Sequence, residues 1–331
     1  MTAFTPSSDP RAIAREVFAT DGVIVEDIPS GGSDRVYFRI AAAGDNVPWI
    51  LCFYDARKRE NRMFVDLTLQ LDALGVRVPN VIRHDEENCW YVMEDLGRRS
   101  LCDYATDPSI THEQRSEHYR RSLRTIAHLH AVKEDALPDR LEGMMEQVFN
   151  EDLYLWEQGY FFEHLAGTHL GMPKDVIQTM QQSDALQQVA KNLDSSHPRC
   201  LVHRDFQSEN IIPIVDGAAL IDYQGVRLGL PEYDVASLLY DPYVDLQASE
   251  IDDLIDFYYA HIGIDRAQRK SVFTGCAVQR LMQALGAYGN LGHNLGKPRY
   301  LGFIPTALDR LKAVSAGTPI GEALTPLFLY P

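Results

Sequence analysis

The sequence contains no apolar run long enough to cross a bilayer. Charged residues also interrupt its first twenty positions, where Asp9, Arg11, Arg15 and Glu16 break any apolar stretch that could serve as a secretory signal. The five cysteines are odd in number and widely spread, without a C-x-x-C pair, which argues against a disulfide framework and against a cysteine zinc site. These absences predict a cytoplasmic protein that does not bind membranes.

Basic residues are also in the minority. The chain has 31 Lys and Arg against 47 Asp and Glu, and its formal net charge is -16. Nucleic acid is therefore not an expected partner, since phosphate backbones are bound by clustered Lys and Arg. An acidic surface is compatible with a cationic small molecule as substrate. With 331 residues, 45% of them hydrophobic, the chain is long enough for two lobes that each have a core.

Two kinds of pattern divide the chain. Runs rich in β-branched and aromatic residues predict strands at 23–28, 36–40, 49–54, 81–84 and 89–93, with a helix over 57–74 after the third of them. Beyond Gly97 the spacing predicts long helices over 111–132, 141–165, 174–193, 249–262 and 265–287. We therefore predict an α+β protein of two lobes: a small antiparallel-sheet N-lobe, residues 1–96, and a larger, mainly helical C-lobe, residues 97–331.

Polar residues crowd behind the short apolar run at 200–202, in the sequence CLVHRDFQSEN. His203, Arg204 and Asp205, then four residues, then Asn210 match H-R-D-x-x-x-x-N, the catalytic loop of kinases. In that loop the Asp accepts the proton of the acceptor hydroxyl and the Asn binds magnesium. The spacing therefore predicts Asp205 as the catalytic base and Asn210 as a metal ligand, with His203 and Arg204 as supports of the loop.

A second carboxylate follows where this interpretation requires one. Twelve residues after Asn210, the sequence IDYQG has Asp222 at the end of an apolar run, where kinases have an aspartate that binds magnesium. A phosphoryl group in transfer carries several negative charges, and hard oxygen ligands position a divalent cation between the phosphates. Asn210 and Asp222 are therefore the predicted Mg²⁺ ligands, and ATP is the predicted donor. Taken alone, Asp222 would be an ordinary turn residue at a strand end.

HRDFQSEN and IDYQG resemble the corresponding motifs of the aminoglycoside phosphotransferase family, within the protein-kinase-like fold, and the likeness runs from Ser30 past Gln279. Within that family the chain is most similar to the bacterial kinases that phosphorylate the anomeric hydroxyl of N-acetylmuramate and N-acetylglucosamine in cell-wall recycling. This second resemblance rests on RVYFRI, DYQGVRLGLPEYDVASLLYDPYV and QRLMQALGAY with GKPRYLGFIP. It implies a small-molecule kinase whose acceptor is a sugar or an amino sugar.

The resemblance also implies where the nucleotide binds. The segment WYVMEDLG is similar to the hinge of the fold, which implies that the Glu94 carbonyl and the Leu96 N–H bind the edge of the adenine; without the family, it is a strand end. A glycine-rich turn upstream could present backbone N–H groups to phosphate, because glycine tolerates a close approach, or it could be a plain hairpin turn. This turn consists of Ser30, Gly31, Gly32 and Ser33.

One residue that the fold leads us to expect is missing. Kinases usually have a Lys on the third strand that binds the α- and β-phosphates and pairs with a helix Glu, but the third run, WILCFY, has none. Arg39 on the preceding strand is the first candidate to supply the positive charge, and it could equally be a solvated strand residue. Arg35 and Lys58 are the next candidates, and Glu60 is either the helix partner or an exposed residue.

The segment after Asp222 bears on the acceptor. Only eight residues separate Asp222 from Pro231, too few for the loop on which protein kinases hold a peptide, so a small-molecule acceptor is favoured. Asp234 resembles the aspartate that braces the catalytic loop in this fold, or it is an ordinary helix N-cap. Two alternatives stay open: a kinase of an aminoglycoside, a choline-like amine or another hydroxylated metabolite, and a nucleotide-binding pseudokinase.

Overall fold

The computed structural model describes residues 8–29, 35–44 and 47–330, so the predicted turn of Ser30 to Ser33 lies outside the described residues. The strands are β1 (Val23–Ile28), β2 (Val36–Ala42), β3 (Trp49–Phe53), β4 (Val81–Asp85), β5 (Trp90–Glu94), β6 (Cys200–Val202), β7 (Ile211–Ile214), β8 (Gly217–Leu220) and β9 (Arg227–Gly229). The α-helices are α1 (Pro10–Phe18), α2 (Arg59–Arg62), α3 (Phe64–Ala73), α4 (Leu101–Ala105), α5 (His112–His130), α6 (Asp139–Glu142), α7 (Glu151–Phe161), α8 (Lys174–Gln181), α9 (Asp184–Asp194), α10 (Pro231–Leu239), α11 (Ala248–Ile262), α12 (Arg266–Gly289), α13 (Ile304–Ser315), α14 (Pro319–Ala323) and α15 (Thr325–Phe328).

The small lobe is built on a five-stranded antiparallel sheet in the order β1-β2-β3-β5-β4. The first three strands form the predicted meander, and β5 lies between β3 and β4. Helix α1 packs against β1 and β2. It begins as its sequence predicts, with the Asp9 side chain accepting a hydrogen bond from the Arg11 N–H at 3.0 Å and Pro10 at the first helical position.

The large lobe is mainly helical and is organised around α12. This helix packs against α7, α10 and α13, and most of its residues after Phe273 are buried. Two small antiparallel ladders, β6 with β9 and β7 with β8, interrupt the helices. The predicted α+β fold of two lobes is confirmed. None of the described helices is both long and apolar enough to span a bilayer.

One apolar core runs through both lobes. The ring of Phe64 on α3 stacks on Tyr91 of β5, with ring centroids 4.5 Å apart, and on Tyr223 of the large lobe at 5.4 Å. The Tyr223 hydroxyl lies 2.7 Å from Oγ1 of Thr68, and this hydrogen bond is buried. Because buried aromatic stacks and satisfied hydrogen bonds are both costly to break, these contacts fix the small lobe against the large one.

Three predicted helices differ from the structure. The helix predicted over 141–165 is wrong over residues 143–150, where the N–H groups of Glu146 and Phe149 donate to the carbonyls of Val226 and Leu228, at 3.3 and 2.9 Å. Backbone groups that bond to a distant strand end are not available to a helix. The stretch 57–74 forms two helices, and so does 174–193, where Ser183 has an extended backbone.

Gly289 allows the end of α12 to approach the turn that follows α7. A Cβ at this position would overlap the carbonyl oxygen of His164 and lie 2.8 Å from its carbonyl carbon. We expect Gly289→Ala to lower the free energy of unfolding by about 1–3 kcal/mol, because backbone atoms cannot rotate away from the added methyl group. Urea unfolding followed by circular dichroism measures this loss.

Gly302 supplies the matched control, since no heavy atom lies within 4 Å of the Cβ that Gly302→Ala adds. That variant should unfold within about 0.5 kcal/mol of the wild type. Equal losses for the two variants would contradict the close packing of α12 against His164.

Candidate active site

The segment from His203 to Asn210 leaves β6 and forms a compact loop. Strand β6 is fully buried and pairs with β9. The side-chain Nδ2 of Asn210 donates to the carbonyl oxygen of Asp205 at 2.9 Å, which closes the loop on itself. The sequence match therefore corresponds to one structural unit in which Asp205 and Asn210 are neighbours.

Asp234 holds this loop from beneath. Its Oδ2 accepts a hydrogen bond from the His203 N–H at 2.7 Å and its Oδ1 accepts one from the Arg204 N–H at 2.8 Å. Nε2 of His130 lies 3.0 Å from Oδ2, and the Asp234 side chain is fully buried. The predicted bracing role is thus confirmed. Asp234 is not the N-cap, because α10 begins three residues earlier, after Leu230.

The second loop carries Asp222 and is tied to the first. Nε2 of His203 donates to the carbonyl of Ile221 at 3.0 Å, and the Ile221 N–H donates to the carbonyl of Asn210 at 3.0 Å. Asp222 itself has a left-handed backbone with φ of 60°, a conformation that costs about 1–3 kcal/mol for a residue with a side chain. The prediction that His203 supports the loops is borne out by these contacts.

The surroundings shift the pKa values of Asp205 and Asp222 in opposite directions. Asp222 faces the cleft, and desolvation by the surrounding protein, followed by the charge of Asp205, raises the pKa of its carboxyl. Desolvation would also raise the pKa of Asp205, but the guanidinium groups of Arg204 and Arg280 outweigh it and hold that pKa below its ordinary value. Asp205 is therefore ionised near neutral pH, while Asp222 is a site where a bound cation would relieve charge repulsion.

A cavity of about 1040 Å³ lies between the lobes and brings the predicted residues together. Asp205, Asn210 and Asp222 line its large-lobe side. The small-lobe side includes Arg39, Glu94 and Leu96, as well as the other two candidate cations and the helix residue considered as their partner, which are Arg35, Lys58 and Glu60. All predicted site residues that the structure describes thus border a single cleft.

The predicted hinge is held by ion pairs. Arg39 on β2 pairs with Asp95, whose side chain is 3% exposed, and Oδ1 of Asp95 also accepts the Gly97 N–H at 2.9 Å. Arg77 binds both carboxylate oxygens of Glu94, at 2.9 and 2.5 Å. Arg39 is therefore not a solvated strand residue, and its charge is compensated within the hinge.

The helix residue that pairs with a cleft arginine is Asn61 and not Glu60, the residue considered from the sequence. Glu60 is exposed on α2, whereas the neighbouring Asn61 is buried, and its Oδ1 accepts a hydrogen bond from Nε of Arg35 at 2.7 Å. Asn61 also donates to the carbonyl of Asp55 at 3.0 Å. An amide in a short polar helix gives no sequence signal of such a pairing.

Sequence reasoning also missed two arginines near Asp205. Arg280, on the buried face of α12, has its Nη2 3.5 Å from Oδ1 of Asp205 and donates from Nε to Oγ of Ser237 at 2.8 Å. Arg227 on β9 lines the cleft and donates to the carbonyl of Gly225 at 2.9 Å. Arg280 lies in a helix whose other residues at this face are mostly apolar and are predicted to be buried in the core. A charged residue at such a position was the only sequence signal that could have identified it as a site residue.

Two curated relatives resemble the chain over most of its length. An N-acetylmuramate/N-acetylglucosamine kinase of Pseudomonas aeruginosa is 25% identical, over 90% of this chain and 87% of that protein. The protein of the same description from Pseudomonas putida is 24% identical, over 90% of this chain and 86% of its own length. The chain therefore resembles two proteins named as sugar kinases over 90% of its length.

The fold and the family follow from two further comparisons. The structure of an aminoglycoside phosphotransferase with ADP bound superposes with a TM-score of 0.60 at 13% identity, covering 93% of this chain and 99% of that one. The model of the phosphotransferase enzyme family matches residues 24–270. The chain therefore belongs to the phosphotransferase enzyme family and is a small-molecule kinase that phosphorylates a hydroxyl group.

Proposed function

We propose that the protein transfers the γ-phosphoryl group of ATP, with Mg²⁺, to the anomeric hydroxyl of N-acetylmuramate or N-acetylglucosamine. The single observation that carries the proposal is the convergence of Asp205, Asn210 and Asp222 on one cleft between the two lobes. These are the base and the two metal ligands that phosphoryl transfer by a kinase requires. The proposed acceptor follows the two curated relatives, which are both named as kinases of these sugars.

The residues present fit a Mg²⁺ ion bound together with a nucleotide. Asp222 and Asn210 offer oxygen atoms, the ligands that Mg²⁺ prefers, and Mg²⁺ commonly takes only one or two protein ligands beside phosphates and water. Nδ2 of Asn210 is engaged by the Asp205 carbonyl, which leaves Oδ1 as its ligand atom. When bound, the ion would neutralise charge on the transferred phosphoryl group. Asp222 and Asn210 would hold it against the large lobe.

The adenine is proposed to bind at the hinge. The Glu94 carbonyl and the Leu96 N–H would pair with its edge, next to the ion pair of Arg39 with Asp95. That ion pair and the salt bridge of Glu94 with Arg77 stiffen this segment, so little conformational entropy would be lost on binding. The superposed aminoglycoside phosphotransferase holds ADP, which supports an adenine nucleotide as the ligand.

Asp205 is proposed to orient the acceptor hydroxyl and to accept its proton as the new O–P bond forms and the bond to the leaving phosphate breaks. Its lowered pKa keeps the carboxylate ionised for this role. Because the proton is transferred late in such reactions, a weak base is sufficient and positioning matters more. Arg280 supports this geometry from α12, with its Nη2 3.5 Å from the carboxylate.

The cationic alternatives for the acceptor receive less support. The large-lobe side of the cleft holds the guanidinium groups of Arg204, Arg227 and Arg299 and, besides Asp205 and Asp222, the carboxylates of Glu146 and Glu209. Arg204 and Arg227 both favour the ionised form of Asp205 and so lie close to it. These two arginines would repel a positive charge next to the reacting hydroxyl, as in an aminoglycoside or a choline-like amine, but not a neutral sugar.

We also propose a cytoplasmic location and no nucleic-acid partner. Each of the five cysteines carries a free thiol, which suits a reducing compartment, and the net charge of -16 opposes binding to phosphate backbones. A nucleotide-binding pseudokinase, the alternative from another class, receives no support, because all three transfer groups are present and line the cleft.

Removing each carboxylate should cause a different defect. Asp205→Ala should lower the rate of transfer by about 10²–10⁴-fold while Mg-ADP still binds, because the base does not contact the nucleotide. Asp222→Ala should weaken Mg-ADP binding itself, because a metal ligand is lost. Single-turnover rates and titration calorimetry separate the two effects.

Asp216→Ala is the matched control, since Asp216 lies exposed in the turn between β7 and β8, away from the cleft. It should leave both measurements unchanged. Normal turnover in both cleft variants would contradict the assigned roles, and binding of Mg-ATP without turnover on any acceptor would favour the pseudokinase.

The position of transfer can be tested with a blocked sugar. With Mg-ATP, N-acetylglucosamine and N-acetylmuramate should each give a sugar 1-phosphate in phosphorus NMR. The methyl glycoside of N-acetylglucosamine should remain unphosphorylated, because its anomeric oxygen carries no hydrogen. Phosphorylation of the glycoside would place the transfer at another hydroxyl, and phosphorylation of kanamycin or choline alone would replace the proposed acceptor.

A further inference from the structure

A buried guanidinium forms part of the small-lobe wall of the cleft. Arg35 immediately precedes β2, is 4% exposed as a residue, and lines the cavity. Its Nε donates to Oδ1 of Asn61 at 2.7 Å, and its guanidinium carbon lies over the ring of Phe64, 4.9 Å from the centroid. Burying a charge is costly unless it is hydrogen-bonded, so this position is built to hold an arginine at the cleft.

The guanidinium reaches the strand that lacks the usual lysine. Cys52 of β3 pairs in register with Tyr37 of β2 on one side and with Tyr91 of β5 on the other. The charge of Arg35 interacts with all three of these side chains, so it lies among them. The arginine, which immediately precedes β2, therefore brings its charge close to the third strand.

Asn61 fixes the orientation of the arginine. The amide is 2% exposed and is itself anchored, because Nδ2 donates to the carbonyl of Asp55 at 3.0 Å. In most kinases a helix glutamate orients the lysine that binds the phosphates. In this chain the amide of Asn61 on α2 orients the guanidinium of Arg35.

Arg35 also faces the metal-binding side of the cleft. It lines the same cavity as Asp222, with Arg35 on the small-lobe wall and Asp222 on the large-lobe wall. A cation on one wall and a metal-binding carboxylate on the other leave between them a space that suits a chain of phosphates.

We propose that Arg35, oriented by Asn61, binds the phosphates next to the nucleoside in place of the third-strand lysine. Arg35 is then a nucleotide-binding residue and Asn61 a positioning residue. The inference rests on the proposed function, since it requires that an adenine nucleotide binds in this cleft.

Nucleotide affinities test the proposal independently of turnover. Titration calorimetry would compare Mg-ADP with adenosine, which has no phosphate. Arg35→Met keeps the bulk over Phe64 and removes the charge, so it should weaken Mg-ADP binding roughly 10- to 100-fold and leave adenosine binding within about twofold. Arg35→Lys should lose less affinity, because the charge remains and only the planar, bidentate geometry of the guanidinium is lost.

The Asn61 variants test the positioning role. Asn61→Gln keeps a neutral amide acceptor for Nε of Arg35, so it should bind Mg-ADP more tightly than a variant that has no acceptor at this position. Asn61→Leu removes that acceptor and should weaken Mg-ADP binding in the same direction as Arg35→Met. Rescue by the conservative variant distinguishes orientation of the arginine from simple loss of packing.

Arg83→Met is the matched control. Arg83 lies on β4, over the ring of Trp90 at 5.7 Å, and does not line the cleft. It should change neither affinity.

The proposal is overturned if Arg35→Met binds Mg-ADP as the wild type does, or if ADP and adenosine lose affinity equally. Should Arg35→Met fail to fold, the same comparison in Arg35→Lys and Asn61→Leu decides the matter. If the wild type binds no adenine nucleotide, the proposed function fails instead.

Discussion

The buried carboxylate of Asp234 is the contact on which the geometry of the site depends. It accepts the backbone N–H groups of His203 and Arg204 and is contacted by His130. Arg204 has a φ of 75°, and a left-handed residue with a side chain costs about 1–3 kcal/mol. Charge-assisted hydrogen bonds of comparable strength offset that cost, so the strained backbone that presents Asp205 to the cleft persists. His130 is in turn bonded to Tyr258 of α11, which ties the loop to the helical core.

A second buried carboxylate holds the other end of the same loop. Asp241 accepts hydrogen bonds from the backbone N–H and the hydroxyl of Ser208, at 2.7 and 2.5 Å, and from the Tyr243 N–H at 3.0 Å. Arg310 of α13 donates to the Asp241 carbonyl. The loop is therefore fixed at both ends by carboxylates from the same chain segment. Asp205 lies between these two anchors, and Asn210, two residues beyond the second, donates to the Asp205 carbonyl, which leaves the two residues little freedom to move relative to each other.

The sequence predicted those parts of the site whose chemistry lies within a short stretch. The H-R-D-x-x-x-x-N spacing identified Asp205 and Asn210 because the loop closes on itself through one hydrogen bond. Asp222 was found because a short hairpin, β7 with β8, connects it to that loop. The segment 143–150 was predicted as helix because its pairing with β9 joins residues far apart in the chain. Arg280 was missed for the same reason, since its proximity to Asp205 depends on how α12 packs.

The two walls of the cleft are set relative to each other by the ring of Phe64. The ring stacks on Tyr91 of the sheet and on Tyr223, which follows Asp222, and it lies beneath the guanidinium of Arg35. One apolar side chain thus contacts the residue next to Asp222 and the guanidinium of Arg35 on the opposite wall. A rotation of the small lobe that moved Phe64 would break its stack on Tyr223 and carry Arg35 away from Asp222, which belongs to the large lobe. The distance between the two charges is therefore governed by this aromatic packing more than by their own attraction, which is weak across an open cleft.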